Sequence, residues 1–410
     1  MSLAVAPAMG CEPETDIRGE LVLERMAPVD FPGVATAVGV LDDWVLITSI
    51  EYQAPQPEPW GEVVYETFVT WVDPEDHVGE PISLGRSNQP LVDRPRWVAW
   101  DGALWGSVMA TQAEVPPTQR HFVRIVGIRP DGISCMLEPE LDFVEDDFVG
   151  TAGFGTALGG SHPAVLTPTG PLFTISGSPR HCGTVSYRRP LGIAVEECNA
   201  TTSWLTPADC STDALRESLS NWPVADRDRI GILSSRSIGA VTWTVVGEGT
   251  SPRIVGDPRR AFERRVPTAF ADESHVLLLE ASELDARCTF VRGMRWDGTD
   301  AGDARWQLPC AATRRSTLGR DEHVRTGLGV DLVRLGSVAL VAALDGPTEL
   351  DDRPAEALLV ALTSRGQRAS PAVGFRSGAV VVGTHEERLA VVALESDWVL
   401  RRYRWEERTP

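Results

Sequence analysis

Residues 34–51 read VATAVGVLDDWVLITSIE, an apolar run, the turn-forming pair Asp42-Asp43 and a second apolar run. Two short apolar segments joined by a tight polar turn read as paired β-strands. The turn and the strand after it recur. The matching segments are DDWVLITSIE (42–51), GALWGSVMAT (102–111), TGPLFTISGS (169–178), IGAVTWTVVG (238–247), ESHVLLLEAS (273–282), LGSVALVAAL (335–344) and ERLAVVALES (387–396). Their starts are separated by 60, 67, 69, 35, 62 and 52 residues, a spacing that clusters near sixty. Helical periodicity is almost absent between them, so the chain reads as all-β with an internal repeat.

Each recurring segment carries companions. RPRWVAW (94–100) leads into LWGSVMAT, then RHFVRIVGI (120–128), then ISCML (133–137), which makes four strands per unit. The first unit has the same plan, with EVVYETFVTWV (62–72) and EPISLG (80–85) after its hairpin. This rhythm resembles the β-propeller architecture, in which four-stranded blades pack around a channel and closure removes most exposed edges. The resemblance implies seven blades. The short interval of 35 leaves six or eight open, because residues 238–273 hold too little strand for a full blade. Two packed sheets are the alternative fold. The blade signatures of the WD40 and kelch families are absent, and Trp100-Asp101-Gly102 and Trp296-Asp297-Gly298 read as β-turns.

The last unit supplies GAVVVG, RLAVVALES and WVLRRYRW but no fourth strand. GELVLER (19–25) alternates correctly to fill that edge, so an N-terminal strand is expected to close the final blade. The expected organisation is a signal remnant or linker over 1–17 and one propeller domain over 18–410. Insertions fall near 138–160 and 199–228, the second holding a helix candidate, TDALRESLSNWP (212–223), capped at Ser211 or Thr212 and ended by Pro223.

The chain has 410 residues and a net charge of −20, and all thirty-eight of its basic side chains are arginine. Without lysine there is no phosphate-loop, Schiff-base or serine-lysine chemistry. The acidic balance disfavours nucleic acid and anionic membranes as partners. No apolar run is long enough for a membrane helix.

The opening MSLAVAPAMGC, followed at once by the acidic EPETD, resembles the end of a bacterial lipoprotein signal, which implies lipidation at Cys11. An ordinary chain terminus is the other reading. Setting Cys11 aside leaves six cysteines, an even number that suits an oxidised protein. Cys288 and Cys310 flank a candidate hairpin, Cys198 and Cys210 close a short loop, and Cys135 is left with Cys182, although six cysteines permit other pairings. Three disulfides imply an extracytoplasmic protein, periplasmic, outer-membrane or secreted. Buried free thiols and a cytoplasmic scaffold form the alternative.

No Gly-x-Ser-x-Gly elbow or His-Glu-x-x-His helix occurs, and GTAGFGTALGG (150–160 region) carries Leu158 where a dinucleotide loop needs its third glycine. Histidines 77, 121, 162, 181, 275, 323 and 385 are dispersed. Asp297, Asp300 and Asp303 on a Gly-rich turn are the calcium candidates, and no other cofactor is expected. Glu138, Glu140, Asp142, Glu145, Asp146 and Asp147 form a second acidic run that reads as a solvated loop. Trp60, Trp204 and Trp222 are taken as loop residues able to form an aromatic platform for binding. The combined reading is an extracytoplasmic, lipid-anchored, monomeric propeller that binds a protein or glycan partner through one face. A carbohydrate-active hydrolase or lyase using paired carboxylates is the alternative.

Overall fold

A computed structural model describes residues 18–53, 64–87, 96–113, 119–138, 164–182, 185–205, 218–226, 229–236, 241–246, 253–254, 269–272, 274–281, 289–307, 330–345 and 356–408. Strand β1 spans Arg18–Pro28. The first full sheet holds β2 (Val34–Leu41), β3 (Trp44–Gln53), β4 (Val64–Val72) and β5 (Ile82–Ser87), and the second holds β6 (Val98–Trp100), β7 (Ala103–Ala113), β8 (Gln119–Arg129) and β9 (Gly132–Leu137). The third comprises β10 (Ala164–Thr167), β11 (Gly170–Cys182), β12 (Val185–Glu196) and β13 (Asn199–Trp204). The fourth comprises β14 (Ser218–Asp226), β15 (Arg229–Arg236), β16 (Val241–Val245) and β17 (Arg253–Ile254). The fifth has β18 (Ala269–Ala271), β19 (His275–Ala281), β20 (Thr289–Arg295) and β21 (Asp300–Gln307). The sixth has β22 (Val330–Leu335), β23 (Val338–Asp345), β24 (Glu356–Leu362) and β25 (Val373–Arg376). The seventh has β26 (Ala379–His385), β27 (Arg388–Leu394) and β28 (Trp398–Arg408), completed by β1.

Among the described residues all seven sheets are antiparallel; six are meanders, and the seventh is a three-stranded meander with β1 added at its edge. Their first strands touch in cyclic order: β2 meets β6, then β10, β14, β18, β22 and β26 follow, and β26 meets β2 again. The chain is therefore a β-propeller, closed on itself. Closure is made as the sequence leads one to expect, with Leu21 opposite Trp405 and Leu23 opposite Tyr403 in the β1–β28 pair. Apolar clusters lie between successive sheets rather than within them. Leu46, Val69 and Trp71 of the first sheet meet Trp97, Leu104 and Ile128 of the second, while Val38, Val45 and Ile47 meet Val392 and Leu400 of the seventh.

The turns after the first strands follow from local chemistry. Asp42, Asp101 and Glu386 adopt positive φ, which a short polar side chain tolerates better than a branched one. First strands of a propeller all run the same way, so these turns open on one face. Contacts between them agree: Gly336 N donates to Glu386 O, and the Arg388 guanidinium pairs with Asp43. That end is called the turn face below, and the end where first strands begin is the entry face.

Three expectations need correction. The segment 238–247 is not a second strand: Trp243 lies on β16, the third strand of its sheet, and RIGILSSR (229–236) holds the second position. The interval of 35 came from that misplacement. The helix expected over 212–223 is overturned where it is described, because Ser218–Asp226 is β14 and Pro223 pairs with Ile232. β14 borders the channel and pairs on one side only, so a proline there costs no ladder bond on its open side. With Asn199–Trp204 also a strand, most of the described part of the expected insertion at 199–228 is sheet.

The third correction concerns cysteine. Cys135 of β9 is joined to Cys198 in the β12–β13 turn, with a Cα–Cα distance of 5.6 Å, so the expected pairs Cys135–Cys182 and Cys198–Cys210 do not form. Spacing along the chain does not reveal that the outer strand of one sheet lies beside a turn of the next. Cys210, Cys288 and Cys310 lie outside the described residues.

Candidate functional site

Two charged residues stand at the entry face. Arg96 lies two residues before β6 and Asp331 is the second residue of β22, and Arg96 Nη2 donates to Asp331 Oδ1 at 3.2 Å. Their sheets, the second and the sixth, are not neighbours in the ring, so the pair spans the ring's interior at the channel mouth. Both side chains stay accessible, 31% for arginine and 36% for aspartate. Asp331 Oδ1 also accepts the Leu332 backbone N–H at 2.8 Å, which fixes the carboxylate on its strand. Arg96 is anchored by its neighbour Trp97, whose Nε1 donates to the buried Thr48 Oγ1 of the first sheet at 2.8 Å. A guanidinium and a carboxylate held this way offer donors and acceptors to one ligand.

A second charged group occupies the turn face at the β4–β5 loop. Asp73 Oδ1 accepts the N–H groups of Glu75 and His77, and its Oδ2 meets His77 Nδ1 at 2.9 Å. Burial pushes the Asp73 carboxyl upward, but the hydrogen bonds from His77 and Glu75 outweigh it and hold the group below its ordinary 3.8. Donating that hydrogen bond to Asp73 Oδ2 lifts His77 above 6.5. Asp73, Glu75 and His77 bring ligating atoms within 4.8 Å of one another. Their setting does not suit a cation. Arg402 donates to Asp76 Oδ1 at 2.9 Å and to the carbonyls of Asp43 and Asp73 at 2.6 Å each, while Arg25 pairs with Asp76 and donates to Pro74 O. Two guanidinium groups on one loop repel a metal ion, so the loop reads as a seam between the first and seventh sheets.

The expected site residues are dispersed. Asp297 caps its own turn, with Oδ1 accepting Thr299 N at 2.9 Å and Thr299 Oγ1 at 2.6 Å. Asp300 and Asp303 lie on β21, and their side chains, like Cys11 and Trp60, fall outside the description. Trp204 and Trp222 are not loop residues: the first ends β13 and the second sits within β14, opposite Leu233. Trp71, Trp97, Trp105 and Trp243 are buried in the clusters between sheets, and Trp44 packs half-buried against one of them. Arg96 and Asp331 carried no signal in the sequence, since 235 positions separate them and each is an isolated charge beside a strand.

No family model matches the chain, and no curated protein matches it. Several solved structures align with most of the chain. The phage phi92 endosialidase is 9% identical, aligned over 96% of this chain and 70% of its own length with a TM-score of 0.41. A polysaccharide lyase of the PL25 ulvan lyase family is 10% identical over 96% of this chain and 97% of its own, with a TM-score of 0.44. The Trypanosoma rangeli sialidase is 11% identical over 94% of this chain and 58% of its own, with a TM-score of 0.37.

Proposed function

We propose that the chain is a seven-bladed propeller that acts on a carbohydrate at the entry-face mouth, outside the cytoplasm, as a hydrolase or lyase. The observation that carries this reading is the Arg96–Asp331 pair across the ring. An apolar mouth would suit hydrophobic side chains, whereas vicinal sugar hydroxyls can accept from a guanidinium and donate to a carboxylate at once. The same two groups can do chemistry: a carboxylate accepts a proton from water or from carbon, and a guanidinium stabilises charge that develops on oxygen. Seven blades are supported by the seven sheets and the cyclic contacts of their first strands. The extracytoplasmic part is supported by the Cys135–Cys198 disulfide, since such bonds persist in oxidising compartments.

Non-catalytic binding of a glycan or protein through the same face is the second reading. It is favoured by Asp331 being the single carboxylate paired at that mouth among the described residues, where hydrolysis would use two.

A panel of neutral and acidic polysaccharides, assayed for new reducing ends and for ultraviolet-absorbing unsaturated ends, tests both. Turnover is expected, with Asp331→Asn and Arg96→Gln each lowering it by about 100-fold or more while the thermal midpoint holds. Retention of a glycan without product would select the binding reading. Neither turnover nor retention on any glycan would remove the carbohydrate assignment. Mass spectrometry of the native protein, reporting lipid at Cys11 and the disulfide map, tests the compartment and the anchor.

A further inference from the structure

The opposite end of the channel holds a carboxylate that the reading above does not use. Asp226 ends β14, and its side chain is 4% exposed. Arg334 of the sixth sheet reaches its Oδ1 with Nη1 at 3.3 Å, from a position 55% exposed. Asp226 Oδ2 is buried with no hydrogen-bond partner. The pair bypasses the fifth sheet, whose first strand is only Ala269–Ala271.

The turn of that fifth sheet adds a second acceptor. Asp272 Oδ1 takes the N–H groups of Ser274 and His275 at 2.7 Å each, and His275 Nδ1 is likewise buried without a partner, 4.0 Å from the Asp272 carboxylate. Trp296 ties this turn to the fourth sheet: its Nε1 donates to Asp272 O at 2.6 Å, and the Arg229 guanidinium lies 4.6 Å over its ring. Arg229 is in turn the cross-strand neighbour of Asp226. Asp42, Glu386 and Glu387 stand on the corresponding turns of other sheets, while Asp43 and Asp101 there are paired with Arg388 and Arg129.

A carboxylate out of water is stabilised by several donors, and one long contact leaves Oδ2 undercompensated. A donor with positive charge answers both deficits, and the acidic turns and the net charge of −20 raise its local concentration. A metal ion fits less well, because the described residues place three ligating groups together only at Asp73, Glu75 and His77, in another sheet. We propose that the turn face between the fourth and sixth sheets binds a ligand bearing a guanidinium or primary ammonium group, whose N–H donates to Asp226 Oδ2.

Calorimetric titration of the full chain with agmatine and with an arginine-containing peptide amide tests this. One saturable site is expected for at least one probe, with a Kd on the order of 1 mM or tighter, and none for the neutral isostere N-butylurea. The probe that binds identifies the source, free amine or peptide. Asp226→Asn should weaken binding about tenfold or more, and Asp43→Asn should not. If Asp226→Asn fails to fold, Arg334→Gln serves: it leaves the carboxylate without its protein partner and should bind the probe at least as tightly. No saturable binding, equal binding of the urea, undiminished binding by Asp226→Asn, or loss of binding in Arg334→Gln would each overturn the proposal.

Discussion

Gly383 on β26 lies so close to β2 that a methyl group on it would meet the carbonyl of Val38, with Val38 Cγ1 at 2.9 Å. Backbone cannot swing aside as a long side chain can, so Gly383→Ala is expected to cost about 1–3 kcal/mol, read as a lowered denaturant midpoint. Gly374→Ala is the control, since its nearest neighbour would be 3.9 Å away. At the neighbouring seam, His77 and Asp73 make the β4–β5 loop sensitive to pH. The raised His77 contributes stability that is complete below about 6.5 and disappears as pH climbs through its folded value. The lowered Asp73 contributes above about 3.8 and loses its part as pH falls through its own folded value. The loop is held best between those limits. An NMR titration should place His77 above 6.5 and return it toward that value in Asp73→Asn; no difference between the two proteins would disprove the coupling.

At the level of strands and turns, the Cys135–Cys198 bridge closes a separation of 63 residues and staples the outer strand of the second sheet to a turn of the third. The chain-entropy relation gives about 4 kcal/mol for a loop of that size. Cys198→Ser should lose a comparable amount in denaturant unfolding, and a reductant should shift the wild type but not the variant. Strands were legible in the sequence because alternation and turn residues are local, and so was the β1 edge, whose pattern had no other place to go. The fourth sheet was harder. VTWTV reads as a hairpin's second strand, yet RIGILSSR takes that place, and Gly231 approaches the Trp243 ring so closely that no side chain fits there. Pro223 resembled a helix stop because nothing local reveals that β14 lies at a sheet edge. The disulfide and the Arg96–Asp331 pair stayed hidden for the same reason: both join sheets, and only the ring brings their residues together.

For the whole molecule, the seam that matters is the one where the chain's two ends meet. β1 pairs with β28, and Arg402 of β28 carries the ring across to the first sheet through Asp76, Asp73 and Asp43, with Arg25 of β1 on the same loop. Every junction between sheets is spanned by continuous chain, the seventh-to-first by residues 29–33, so the ring depends on noncovalent contact between distant segments where β1 pairs with β28 inside the seventh sheet. Arg402 is 14% exposed and Asp76 11%, so removing the guanidinium leaves a nearly buried carboxylate with Arg25 as its remaining partner. Arg402→Ala is expected to cost about 3 kcal/mol, at the lower end of what breaking a buried pair costs because Arg25 compensates in part. The distribution of that loss is the sharper test. Hydrogen exchange should quicken first in β1, β28 and the β2–β4 hairpins, while the third to fifth sheets keep their wild-type protection, because opening at a seam frays a ring from its two free sheets inward. Protection lost evenly around all seven sheets would mean that the propeller opens as one cooperative unit and that the junction of the termini is no weaker than the rest.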